Sequence, residues 1–399
     1  MTEAYILSAC RTPFGRYGGA LKDLRPDDMA ALVMKEAATR AKIDPNEIDD
    51  VMFGCANQAG EDNRNVARMA VLLAGFPERV PAVTLNRLCG SSLDAIVQAA
   101  RAIKLGEADI IIAGGVESMT RAPYSLPKNV SGGAVFGNIP AYDTALGWRY
   151  PNPRHEAMFP LESMGETAEN VAEQWKVSRE DQDAFALTSH QKAIAAQARG
   201  DYDEEVLSIT IETRKGKNVV EKDEQPRPDT TLEKLSQLKP AFRKGGSVTA
   251  GNSSSLNDGA SAVVVASEAA VKRLGVEPLG RYVASGLEGL SPRIMGLGPI
   301  YAVRKALKLA KLSIDDIEAM ELNEAFAAQS LPVIRELGID PEKVNPNGGA
   351  IAIGHPLGAS GGRLVATLLF EMRRKKLKRG IATMCIGVGQ GIAGIFERD

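Results

Sequence analysis

The chain repeats itself, and that constrains its fold more than any other feature of the sequence. The segment Ala41-Lys-Ile-Asp-Pro-Asn-Glu-Ile-Asp-Asp-Val-Met-Phe-Gly54 lines up with Ala310-Lys-Leu-Ser-Ile-Asp-Asp-Ile-Glu-Ala-Met-Glu-Leu-Asn323. The same shift of 269 places lays Asn86 on His355 and Cys89 on Gly358, so that Asn-Arg-Leu-Cys-Gly-Ser-Ser overlies His-Pro-Leu-Gly-Ala-Ser-Gly. After each, a helical stretch ends at a glycine, Gly106 or Gly380. An apolar strand then leads into further glycines, Ile110-Ile-Ile-Ala-Gly-Gly115 and Ile381-Ala-Thr-Met-Cys-Ile-Gly387. Helix and strand alternating twice over predict an α/β protein of two halves with similar topology. Packed together, such halves bring equivalent strand ends to one junction, where α/β proteins tend to place their sites.

The stretch from about Ser118 to Gly246 has no partner in the second half. It opens on a Gly/Pro/Asn/Tyr-rich run, Arg121 to Pro160, with little periodicity. Ser178-Arg-Glu-Asp181 then reads as a capping box for a helix running towards Ala198, with Gly200 beyond its end. This predicts a loop-rich domain inserted in the first half. At 399 residues and 44% hydrophobic, the chain is long enough for two or three domains. The expected division is 1–117 plus 248–271 for the first half, 118–247 for the insertion, and 272–399 for the second half.

A formal charge of −2 offers no global field for nucleic acid or membrane. Arg373–Arg379 concentrates cations, but reads as a solvated helix end whose charges suit the C-terminal dipole. No apolar run approaches the roughly 18 residues needed to cross a bilayer. The opening Met1-Thr-Glu-Ala-Tyr5 lacks a basic export region, so a cytoplasmic protein is expected. The 4 cysteines show neither disulfide-framework density nor CxxC spacing, and 3 histidines make a Cys/His zinc site unexpected.

Chemistry concentrates in four places. Cys89 precedes a helix marked by Leu93, Ile96, Val97, Ala100 and Ile103. A thiol there faces unpaired N–H groups and the positive end of the helix dipole, which predicts a pKa below the unperturbed value of about 8.5 and a usable nucleophile. His355 lies between glycines and before Pro356, in a turn able to present it to a pocket. Met384-Cys385-Ile-Gly-Val-Gly-Gln-Gly391 places a second thiol at a strand end; too few residues follow for the helix a dinucleotide fingerprint requires. Glu321-Leu-Asn-Glu-Ala-Phe326 sets polar residues where a strand should give way to a helix, and Asn323 could simply cap that helix.

These four blocks, in this order and register, resemble the thiolase family over essentially the whole chain. The resemblance implies a five-layer αβαβα fold of two duplicated halves with an inserted loop domain for coenzyme A and acyl binding, assembled as a homodimer or homotetramer. Cys89 would carry the acyl group as a thioester. His355 would take its proton and, with a water held by Asn323, stabilise the enolate of acetyl-CoA. Cys385 would be the second acid/base, and the N–H groups of Cys89 and Gly387 an oxyanion hole. Matching positions for coenzyme A and the acyl chain are Arg227, Phe242, Ala250, Ser254, Met164, Ala325 and Phe326. Coenzyme A would be a substrate; no cofactor or metal is implied.

Within the family, Glu162-Ser-Met-Gly165 departs from the Tyr-His-Met-Gly block of the acetoacetyl-CoA type, with Ser163 where a histidine lines the acyl pocket. Gly54-Cys-Ala-Asn-Gln-Ala-Gly-Glu-Asp-Asn-Arg-Asn-Val-Ala-Arg68 and Gly147-Trp-Arg-Tyr-Pro-Asn-Pro153 look like the degradative branch that cleaves 3-oxoadipyl-CoA. Arg149 is then a candidate for the substrate's terminal carboxylate. The alternative is a biosynthetic enzyme condensing two acetyl-CoA. A ketosynthase would carry His in place of Cys385. A redox pair of Cys89 and Cys385 would leave His355 and Asn323 without a purpose, and a non-catalytic carrier would be expected to have lost a catalytic Cys or His.

Overall fold

A computed structural model describes residues 2–128, 137–213 and 216–398. Its principal sheet contains β1 (Ala4–Arg11), β2 (Asp50–Gly54), β3 (Ala82–Leu85), β4 (Ile110–Ser118), β5 (Asn257–Ser267), β6 (Gly280–Gly289), β7 (Ala319–Leu322), β8 (Arg379–Ile386) and β9 (Gln390–Glu397), with Gly15–Arg16 paired to β5. The order is β7-β8-β9-β6-β1-β5-β4-β2-β3. The first half thus lies wholly on one side and the second on the other, joined where Tyr5 and Ile6 of β1 meet Arg281 and Gly280 of β6.

The duplication holds strand by strand. β2 and β7 are parallel to β4 and β8 respectively, and β5 and β9 run antiparallel beside those. β3 pairs parallel with β2 through Ala82 opposite Val51, and in the second half Val344 bridges Met320 in parallel at the equivalent place. The strand that starts at Ile110 passes through Gly114 and Gly115 to Ser118. Those residues must lie flat against β5, where a Cβ on Gly114 would sit 2.0 Å from the Ser261 carbonyl oxygen.

The layers follow from what covers each strand. β4 and β5 are buried along their whole length, as strands with both faces covered must be. On one side lie α1 (Pro26–Arg40) and α2 (Val66–Leu73). Between the halves, α3 (Ser91–Leu105) packs on α4 (Leu357–Lys375), and each also packs on the sheet. The helix Gly298–Ala310 covers β6 and β9 on the far side, giving helix, first-half strands, central helices, second-half strands and helix, the two strand layers being continuous through β1 and β6. The two central helices approach closely because Gly361 has no side chain: a Cβ there would lie 2.4 Å from the Leu93 nitrogen. α3 ends as expected, with Gly106 left-handed at φ 76.

In the insertion, the helix Arg179–Arg199 starts at Ser178, whose hydroxyl accepts the Asp181 N–H at 3.0 Å, and ends at left-handed Gly200. Only half of the expected capping box forms, since the Asp181 carboxylate turns outward to Arg335. Of the irregular stretch Arg121–Pro160, residues 129–136 lie outside the described residues. The rest contains a short pairing of Tyr124–Ser125 with Tyr142–Asp143 and the helix Pro153–Met158. The insertion is fastened to β1 by the fully buried Arg11, whose guanidinium meets Glu205 at 2.7 Å and Asp223 at 2.6 Å. Losing either side would strand a buried charge. Near the chain end, Arg373 pairs with Glu204 and Arg374 with Glu371, so part of the basic run is spent on ion pairs. No helix among the described residues is long and apolar enough to cross a membrane.

Candidate active site

The turn before α3 is built to hold Cys89 in one place. The Asn86 side chain accepts the Leu88 N–H at 2.9 Å and donates to the Ala56 carbonyl at 3.0 Å. The Ser91 hydroxyl accepts the Arg87 N–H and donates back to the Leu88 carbonyl. Leu88 itself is left-handed at φ 47, a conformation costly for a leucine that persists because these bonds over-determine it. The N–H groups of Gly387 and of Cys89 itself act on the sulfur to stabilise a thiolate, as the helix-terminus reading anticipated. Although the residue as a whole is only half-buried, desolvation of its sulfur outweighs them, and Glu117 adds its charge, so the thiol is pushed up to about 11 rather than down. The sequence expectation of a lowered pKa is therefore corrected: local N–H groups are legible along the chain, whereas the desolvation comes from distant segments folded over the thiol.

His355 stands at the start of α4, its own N–H held by Asn257 Oδ1 at 2.9 Å. Its Nδ1 lies 2.6 Å from the Ser360 hydroxyl, which donates onward to the Pro356 carbonyl. With the Ser360 proton assigned to the Pro356 carbonyl, Nδ1 is the donor and Nε2 keeps its lone pair. Burial, with Arg363 adding like charge, lowers the imidazole from 6.5 to about 3, so it is neutral at any physiological pH. The Asn323 amide nitrogen sits 3.4 Å from Nε2, while Asn323 Oδ1 has no hydrogen-bond partner among the described residues. Asn323 does not cap the following helix, which begins at Ala327 after Phe326.

Cys385 closes the group from the end of β8. It is buried, and its thiol is raised further by the nearby Cys89. Its sulfur is 3.8 Å from Gln329 Oε1, and Gln329 is buried with its amide nitrogen unpartnered. All 4 cysteines are free thiols. Gly387 follows in the turn to β9, where Val388 is left-handed at φ 63; a Cβ on Gly387 would lie 3.3 Å from Leu88 and 3.5 Å from the Met164 sulfur. The three blocks from the second half and the Cys89 turn from the first therefore meet as the duplication implied. α3 and α4 are tied there by the Gly362 N–H bonding the Ser92 hydroxyl at 3.0 Å.

Around this centre, Met164, Ala325, Phe326 and Cys385 share one apolar cluster. The exposed Phe242 stacks edge-on to Phe326 at 6.1 Å and covers Gly165. Ser254 bonds the Ala325 carbonyl at 2.9 Å through its N–H. Ala250 is exposed on the same turn, and Arg227 is exposed with its backbone N–H on His190 Nδ1 at 3.2 Å. Ser163 is an exposed helix cap, its hydroxyl accepting the Glu166 N–H.

Known proteins resemble this chain along its whole length. Residues 4–269 match the family description "Thiolase, N-terminal domain" and residues 276–398 "Thiolase, C-terminal domain". The chain belongs to the thiolase family. It is similar to the beta-ketoadipyl-CoA thiolase of Acinetobacter baylyi, at 54% identity over 402 residues covering 100% of both chains. The 3-oxoadipyl-CoA/3-oxo-5,6-dehydrosuberyl-CoA thiolase of Escherichia coli is likewise 54% identical over 100% of each. The solved acetyl-CoA acetyltransferase of Bacillus anthracis superposes with a TM-score of 0.94 at 44% identity, over 100% of this chain and 99% of that one. As a thiolase, the chain is an acyltransferase that works on acyl-CoA and coenzyme A.

Several residues at the thiolase centre escaped the sequence reading. Ser360, which sets the His355 tautomer, lies one helical turn beyond it and could have been found by spacing. Glu117, a lone acid ending an apolar strand, was a visible signal left unread. Gln329 carries no signal, being one of several polar residues in the helix Ala327–Leu337. Arg149, half-buried, donates to the carbonyls of Thr144 and Asn57 and makes no ion pair among the described residues, so it is not the salt-bridge partner that its charge alone would suggest.

Proposed function

We propose that this thiolase cleaves 3-oxoadipyl-CoA with coenzyme A, by a ping-pong route through an acyl group on Cys89. The observation that carries the mechanism is a thiol set just before a helix and influenced by the N–H groups of Cys89 and Gly387, in a site that also contains a second thiol and a neutral imidazole whose Nε2 faces Asn323 at 3.4 Å. In this reading His355 Nε2 accepts the Cys89 proton as sulfur attacks the 3-keto carbon. The N–H groups of Cys89 and Gly387 receive the oxyanion. Collapse breaks the bond between carbons 2 and 3. The departing enolate of acetyl-CoA is stabilised by His355 and a water on Asn323, whose Oδ1 is available for one, and Cys385 protonates its carbon. Coenzyme A then lifts the shortened acyl group from Cys89. Arg227, Phe242, Ala250 and Ser254 contact coenzyme A, and Met164, Ala325 and Phe326 line the way to the reacting carbon. No cofactor takes part.

The substrate rests on the two relatives named as beta-ketoadipyl-CoA and 3-oxoadipyl-CoA/3-oxo-5,6-dehydrosuberyl-CoA thiolases and on Arg149, a guanidinium with no ion pair among the described residues. These favour cleavage over biosynthetic condensation. The test is coenzyme A-dependent cleavage of acetoacetyl-CoA, a medium-chain 3-ketoacyl-CoA and 3-oxoadipyl-CoA side by side. Preference for 3-oxoadipyl-CoA is expected. Arg149→Met should lower kcat/KM for that substrate by about 10- to 100-fold, the worth of a charge-assisted hydrogen bond, and spare acetoacetyl-CoA. Equal losses on both substrates would remove Arg149 from the acyl pocket, and a preference for the medium chain would reject the dicarboxylate reading.

The same reading assigns 1–117 with 248–271 and 272–399 to the two thiolase halves and 118–247 to the loop domain. It places the enzyme in the cytoplasm, where reducing conditions keep both working thiols free. It also makes the protein a homodimer or homotetramer. Edge strand β3 exposes Val83, and α2 packed against it exposes Met69, Leu72 and Leu73, an apolar edge that a second copy would cover. Light scattering of a monomer in dilute solution would reject that assembly.

A further inference from the structure

Glu117 sits where the two halves meet, and the reaction as described makes no use of it. It ends the buried, otherwise apolar run Ile110–Val116, so its carboxylate needs donors. It has three backbone N–H groups: Ala56 at 2.9 Å, Asn57 at 3.0 Å and Gly358 at 2.8 Å. Ala56 and Asn57 follow β2, and the Ala56 carbonyl holds Asn86 of the Cys89 turn. Gly358 lies in the first turn of α4, just after His355. The approach is close enough to require glycine, since a Cβ on Gly358 would lie 2.4 Å from the Val116 carbonyl oxygen and 2.9 Å from Glu117 Oε2.

Cys55 and Asp62 complete the cluster, the Cys55 sulfur being 3.5 Å from Asp62 Oδ2 and 3.9 Å from Glu117 Oε1. By residue type and spacing the three could hold a metal ion. Each Glu117 oxygen already takes two donors, however, and Asp62 takes the N–H groups of Gln58 and Gly60, so the lone pairs are spent internally. The cluster is a clamp.

We propose that Glu117 is a positioning residue for the thiolase reaction: its carboxylate spans the loop after β2, which holds the Cys89 turn through Asn86, and the first turn of the helix that follows His355, and so fixes the base relative to the nucleophile. The proposal rests on the roles given above to Cys89 and His355. Glu117 also acts on Cys89 through its charge, which opposes the thiolate after burial does; Cys385 and the His355 imidazole are further ionisable groups of the same site. Burial raises the Glu117 carboxyl to about 7 against its N–H partners, with Asp62 adding to the rise.

The test uses Glu117→Gln and Glu117→Asp in the full chain. Glu117→Gln replaces an acceptor oxygen by an amide that opposes the N–H groups, and it removes the charge. Its kcat should fall about 10²-fold with KM for coenzyme A little changed, as for a misplaced base. Alkylation of Cys89 should move to lower pH. Glu117→Asp keeps the charge but shortens the reach, so kcat should fall while the alkylation midpoint stays put. Should Glu117→Gln prove insoluble, the split between kcat and KM in Glu117→Asp decides alone. Turnover within twofold of the parent in either variant overturns the proposal. So does a parallel loss of kcat, coenzyme A binding and melting temperature with an unmoved midpoint in Glu117→Gln. A Cys89→Ala enzyme that still turned over would instead overturn the roles on which the clamp depends.

Discussion

Replacing Cys89 with alanine is expected to lower coenzyme A-dependent cleavage by about 10⁴-fold or more, the scale on which covalent nucleophiles are lost, and to abolish labelling of the site by a thiol alkylator. The pH dependence of that labelling in the parent enzyme is the sharper part of the prediction. The thiol is pushed up to about 11 and the imidazole down to about 3, so the resting pair is thiol and neutral imidazole, not thiolate and imidazolium. Alkylation, which needs the free thiolate, should therefore climb about tenfold per pH unit through neutrality and level off only near the raised thiol value. Turnover should not follow that slope, because His355 accepts the proton as the carbon–sulfur bond forms. Protonation of His355 should spare activity until the pH falls towards about 3. A plateau of alkylation already reached near neutral pH would reject this pairing in favour of a preformed ion pair. Cleavage by Cys89→Ala within tenfold of the parent would remove the cysteine from the chemistry.

The resting state of that pair marks the boundary of what the sequence discloses. The duplication is carried by spacing alone, and spacing survives into the structure down to Val344 beside Met320, a single bridge where the first half has a strand. The position of Cys89 was equally legible, because a turn, a helix start and a closing glycine are local signals. Its ionisation was not, because the largest influence on it is burial by segments far away in the chain. His355 shows both cases together. The glycines and Pro356 announce a turn, and Ser360 fixes the ring from within the same helix. The lowered pKa, in contrast, comes from burial and from Arg363, whose guanidinium is occupied by Glu321 of a neighbouring strand. The half-formed cap at Ser178 has the same cause: Asp181 found Arg335, more than a hundred residues away, a better partner than its own helix. Charges look for partners across the fold, whereas backbone turns look for them nearby.

Removing the second thiol should separate the two halves of the reaction. Cys385→Ala is expected to acylate Cys89 from an acyl-CoA donor within a few-fold of the parent rate, seen as the mass of the acyl-enzyme. Overall cleavage should fall by about 10²- to 10⁴-fold, the usual worth of a placed acid or base. The division follows from position. Cys385 lies at the end of β8 with only Gln329 as a side-chain hydrogen-bond partner among the described residues, and it makes none of the contacts that hold the Cys89 sulfur. Its ionisation is opposed first by burial and then by the neighbouring Cys89. That second opposition needs a Cys89 thiolate, so it is absent near neutral pH, where Cys89 is a thiol or a thioester, and burial alone holds the Cys385 proton until the enolate takes it. An unimpaired carbon–carbon step in Cys385→Ala would assign the proton to another group. A variant that lost acylation as well would place Cys385 in the support of Cys89 instead of in the proton transfer that follows.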